Sequence, residues 1–141
     1  MSDENKALAR QVFEEVQSKG DYALVDELVA SDYVVHTPMG VGDVHGPEGV
    51  KQFVKTLHKS LPDLKFTVED QIADGHRVAT RWTCRGTHRG EFQGVPATGK
   101  RVTMSGITIF HVDDGKLVEA WASPDLLGLM QQIGASPPAG V

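Results

Sequence analysis

At Pro62 the hydrophobic period of this chain changes from 3.6 to 2, and that switch limits the possible folds more than any other feature. Before it, apolar residues recur at helical spacing. Leu8, Val12, Phe13 and Val16 form one stripe, stopped by Gly20. Asp21 is placed to cap a short second helix carrying Leu24, Val25 and Leu28. A third helix opens at "GPEG", where Pro47 occupies a first-turn position, and its face is Val50, Phe53, Val54, Leu57 and Leu61. Between the second and third helices, "DYVVHTP" reads as a short strand ending in His36.

Beyond Pro62, Leu64, Phe66 and Val68 alternate with Lys65, Thr67 and Glu69, the pattern of a strand with one buried face. Asp74-Gly75 and Asp114-Gly115 are tight-turn pairs. They divide the sequence into strands over Leu64–Asp74, His76–His88, Lys100–Val112 and Lys116–Ala122. "RGEFQGVPATGK" is a connection rich in Gly and Pro, with a short strand at Glu91–Phe92. In "EAWASPDLLGLMQQIG", Ser123 is placed as an N-cap, Pro124 as the first helical residue and Asp125 as an acid near the positive helix end. That last helix carries Leu126, Leu127, Leu129, Met130 and Ile133 and ends at Gly134. Helices first and antiparallel strands after them give an α+β class and one domain over 1–141, with 1–4 and 135–141 as frayed ends. A twisted sheet with helices on one face makes a cone, whose mouth is a natural ligand pocket.

Composition excludes several partners. Hydrophobic residues make up 40% and charged residues 23%, as in an ordinary soluble globule. The net charge is −5 with no basic cluster, so neither nucleic acid nor an anionic membrane surface is an expected partner. No apolar run approaches the roughly 20 residues of a membrane span, and MSDENKALAR lacks a signal-peptide layout, so a cytoplasmic location is expected. Cys84 stands alone and reads as a small buried hydrophobe. His45 and His58 lack metal-ligand spacing, and nucleotide-binding glycine motifs and a serine-nucleophile elbow are missing, so no metal and no cofactor are expected.

The stretches "GPEGVKQFV", "LPDLKFTVEDQIADGHRVATRWTCRGTHRGEFQGVPATGKRVTMSGITIF", "DGKLVEAW" and "DLLGLMQQIG" resemble the SnoaL-like polyketide (ester) cyclases of the nuclear-transport-factor-2-like superfamily, from about residue 5 to 135. The resemblance implies a cystatin-like cone, a curved antiparallel sheet around a deep apolar cavity, and homo-oligomers, a homodimer at least. It also implies a cofactor-independent, intramolecular aldol-type ring closure on an aromatic, polyketide-like carbonyl substrate. Family cyclases place an acid/base Asp just before the last helix, where Asp125 stands here. The His fourteen residues earlier is His111, and the Gln two residues before that His is Ile109 here. His36 ends the first strand, where family members often carry a His. In this reading Asp125 takes the proton while His111 or His36 donates to the accepting carbonyl.

Alternation adds the walls. Trp82 shares a face with Thr80 and Cys84, opposite Arg81 and Arg85, so the Trp82 face is the inward one and Trp82 a flat apolar wall; Trp121 is a second. His111 shares a face with Ile107 and Ile109, which the resemblance turns toward the pocket. Thr108, Phe110 and Val112 would then lie outside, against a partner. Phe13, Tyr33, Phe53 and Leu57 read as lining without chemistry. Two other functions fit the same frame: an epoxide hydrolase or isomerase using Asp125 as base, and a non-catalytic binder of small apolar ligands.

Overall fold

The computed structural model describes residues 2–38 and 42–134. Helix α1 (Ser2–Gln11) begins with Asp3 and Glu4 at the positive end of its dipole. It runs into a π-helical turn (Val12–Gln17), in which Ser18 N–H donates to Phe13 O at 3.0 Å. That wider winding brings Val12, Phe13 and Val16 inward together. Helix α2 (Tyr22–Leu28) is capped by Asp21, whose side chain accepts from Leu24 N–H. Strand β1 (Val29–His36) and the two-residue β2 (Val44–His45) precede helix α3 (Gly46–Ser60).

Four long strands follow: β3 (Lys65–Asp74), β4 (Arg77–Thr87), β5 (Arg101–Asp113) and β6 (Lys116–Pro124). All pair antiparallel in sequence order, with the Asp74-Gly75 and Asp114-Gly115 turns where expected. The expected strand at Glu91–Phe92 is a single bridge, Phe92 to Val95. Strand β1 adds to β6 in parallel and carries β2, giving one curved, unclosed sheet ordered β2-β1-β6-β5-β4-β3. The parallel β1–β6 pair was not legible, because it joins segments some 85 residues apart with no hairpin between them.

Strand β6 extends through Pro124, so the last helix α4 (Leu126–Gln132) starts later than "SPD" suggests. Its N-cap is Asp125 rather than Ser123. The Asp125 side chain accepts from Gly128 N–H at 3.0 Å, and a Cβ on Gly128 would run into that carboxylate. The tail after 134 lies outside the described residues.

The helices cover one face of the sheet. At the centre of the core Phe13 meets Phe66, Trp82 and Phe110 at 5.4, 6.0 and 5.8 Å between ring centroids. On β4 Val78, Thr80, Trp82 and Cys84 alternate as buried residues, followed by Gly86 and Thr87; on β5 the buried set is Val102, Met104, Thr108, Phe110 and Val112. Here the sequence reading of β5 is corrected. Directly opposed residues of an antiparallel pair point to one face. Trp82 pairs with Gly106 and Thr80 with Thr108, so an inward Trp82 forces Thr108 and Phe110 inward and turns Ile107, Ile109 and His111 outward. Ile107 and Ile109 are 47% and 39% exposed.

Candidate functional site

The inner face and the helices enclose an apolar cavity of about 80 Å³. Its floor is β4–β5: Trp82, Cys84, Met104 and Thr108. Its roof comes from the π-turn and α3, with Phe13, Gln17, Phe53 and Leu57, while Tyr33, Val35 and Thr37 on and just after β1 form a side wall.

Trp82 sits where the sequence placed it, and its neighbours show why. Gly106, directly across, lacks the Cβ that would otherwise strike the indole. The ring lies over that gap, and its Nε1–H donates to Thr108 Oγ1 at 3.0 Å. Satisfying a buried indole in this way fixes the plane of the wall. Cys84 is buried here, and burial pushes its thiol pKa up to about 12, so it is a neutral hydrophobe and not a thiolate nucleophile.

The remaining expected site residues stand elsewhere. Ile109 and Trp121, paired across β5–β6, lie on the outer sheet face, in a broad groove that also takes Arg81 and Asp125. Asp125 is exposed and engaged as the helix cap. His111 also faces out; it pairs with Glu119 and packs beside His76, ring centroids 6.4 Å apart. Asp125 and His111 are therefore not brought together. Residues fourteen apart oppose each other across this hairpin only at Thr108 and Ala122, and both line the inner cavity. An acid–His pair at that spacing would have to stand there, where this chain has a hydroxyl and a methyl.

His36 also faces outward. Its Nδ1 lies 2.9 Å from Asp43 Oδ2, its Nε2 2.7 Å from Glu119 Oε2, and its ring packs 5.7 Å from Trp121, over which Arg77 also lies. The hydrogen bond to Glu119, then that to Asp43, raises its pKa, so the imidazolium is the favoured form in this carboxylate clamp. Sequence reasoning passed over Tyr33 as lining without chemistry and set Thr108 on the outer face. Only the β4–β5 register could have revealed Thr108 as a cavity hydroxyl.

Fold and site together define a class: a small α+β cone whose curved sheet and covering helices enclose an apolar cavity. Within it, the family model for SnoaL-like polyketide cyclases matches residues 7–133, and the chain belongs to that family. An aklanonic acid methyl ester cyclase of Streptomyces peucetius is 29% identical over 93 residues, 65% of this chain and 64% of its own length. The nogalonic acid methyl ester cyclase of Streptomyces nogalater is 26% identical over 78% of this chain and 83% of its own. Among solved structures, TsrD of Streptomyces laurentii superposes with a TM-score of 0.85 at 27% identity, covering 96% of this chain and 98% of that one. IdmH of Streptomyces antibioticus gives 0.80 at 32%, covering 93% and 99%. Among the described residues, no helix is long and apolar enough to cross a membrane.

Proposed function

We propose that the protein takes a small, apolar, polyketide-like carbonyl compound into the inner cavity and promotes its intramolecular ring closure by confinement, without a carboxylate base of its own. One observation carries this reading: the cavity wall holds hydroxyls, a thiol and an amide, but no carboxylate and no imidazole among its described residues. A methylene flanked by a ketone and an ester is acidic enough to lose its proton to solvent. The resulting enolate carbon bonds to a tethered ketone carbon, whose oxygen is then protonated, so the net change is an isomerisation. Holding the two carbons in a near-attack geometry is the protein's contribution, and effective molarities for such arrangements reach about 10⁵ M or more.

A second reading, a non-catalytic binder of small apolar ligands, draws on the same bare wall. An ortho-acetylphenyl β-keto methyl ester separates the two. Ring closure accelerated by the protein, followed by proton NMR, supports the cyclase; tight binding with the uncatalysed rate supports the binder. The methyl esters named for the relatives are the second substrates to try.

We also propose that a second copy covers the outer sheet face. Its rows are self-complementary: Arg77–His111–Glu119 and Ala79–Ile109–Trp121 run across β4, β5 and β6. A two-fold axis along β5 sets Arg77 against the partner's Glu119 and the small Ala79 against the partner's Trp121. Light scattering at micromolar concentration is expected to give twice the chain mass, and Ile109→Lys half of that. A monomeric wild type would overturn the assembly.

A further inference from the structure

Tyr33 on β1 is 3% exposed and borders the cavity beside Val35. It stands where the β1–β6 register slips, Val29 pairing with Leu117 and Val34 already with Glu119. Such an irregularity re-aims side chains. The phenol makes no hydrogen bond to a described residue. It is not sealed off either, since the fully buried side-chain polar atom left without a partner among the described residues is His88 Nε2. The Tyr33 oxygen is therefore neither bonded within the described residues nor fully enclosed, and Tyr33 is part of the cavity wall.

We propose that Tyr33 is the residue that selects a carbonyl-bearing ligand, its O–H donating to the ligand's carbonyl oxygen. This deepens the cavity reading above and rests on it. The surroundings are apolar side chains, where a donor without an acceptor is disfavoured and a ligand oxygen supplies what the protein does not. Burial raises the phenol's pKa well above its ordinary value near 10, so the group stays a neutral donor at physiological pH. A site that offers a hydrogen bond discriminates against an isostere lacking the matching atom. The same proton, aimed at the accepting ketone, would neutralise the alkoxide formed on ring closure, with water restoring it to Tyr33.

The probes are 1-indanone and indane, one ketone apart, titrated against the intact protein and against Tyr33→Phe. The expected result is an indanone affinity lowered about tenfold by the substitution, with indane affinity unchanged. Equal loss for both probes, or none for indanone, would overturn the role of Tyr33. Binding of neither probe to the wild type would remove the cavity reading itself, and this inference with it. Should Tyr33→Phe fail to fold, wild-type protein carrying ¹³Cζ-tyrosine serves. The chain has two tyrosines, so the Tyr33 signal should move with indanone and much less with indane, while Tyr22, half-buried and outside the cavity lining, serves as the control. A Tyr33 signal indifferent to bound indanone would refute the proposal.

Discussion

Replacing Asp125 separates a structural carboxylate from a chemical one. The structure gives this side chain one task, accepting Gly128 N–H at 3.0 Å at the start of a seven-residue helix. Asp125→Ala removes the cap, at a loss of about 0.5–2 kcal/mol. The carboxylate's interaction with the helix dipole adds about 0.3–1 kcal/mol, toward the lower end for an exposed group. In a chain of this length each kcal/mol moves Tm by roughly 3 °C, so Asp125→Ala should melt about 3–6 °C lower. Asp125→Asn keeps a capping oxygen and loses only the dipole contribution, roughly 1–3 °C. Calorimetry measures both, and the ring-closure assay runs beside it on the same preparations. Turnover should be unchanged in Asp125→Asn. A folded Asp125→Asn protein with native Tm and a rate reduced by about 10² or more would refute the reasoning and return the chemistry to the outer groove.

Gly106→Val drives a branched Cβ into the Trp82 ring, so an overpacking loss of about 1–3 kcal/mol is expected, read as a lower urea midpoint at constant m-value with altered tryptophan emission. The His36 clamp sets a pH dependence. Because its folded pKa is raised above the unfolded value near 6.5, its contribution is complete below pH about 6.5 and is lost as pH rises through the folded value. His36→Gln should therefore flatten the fall in stability across that window, whereas an unchanged profile in the variant would remove the clamp as its source. Asp63 behaves with the opposite sign. Hydrogen bonds from the Thr87 hydroxyl and amide lower its pKa, so its contribution is present at neutral pH and lost as pH falls through the lowered value; Asp63→Asn should lessen the acid sensitivity of melting.

The sequence made the fold legible where the pattern was local. Alternation after Leu64 and the two Asp-Gly turns placed four strands and their antiparallel pairing, and family-specific stretches supplied the cone. It did not reveal which face of β5 looks inward. The 88–100 connection is long and irregular, so it carries no turn chemistry that pins the β4–β5 register, and a one-residue slip reverses every side chain. Trp82 inward and His111 inward were separately reasonable and jointly impossible once Trp82 paired with Gly106. Ser-Pro-Asp misled for a related reason: β6 continues through Pro124, and the cap falls to Asp125 because Gly128 leaves room for its carboxylate. Tyr33 was hidden by the irregular pairing of β1, a long-range contact with no sequence signature.

The central claim is that ligand enters the inner cavity and not the outer groove. Intermolecular nuclear Overhauser effects from bound 1-indanone test it most directly, with the ε-methyl of Met104 as the inner reporter and the δ-methyl of Ile109 as the outer one. The account predicts strong contacts to Met104 and none to Ile109; contacts to Ile109 with Met104 silent would contradict it.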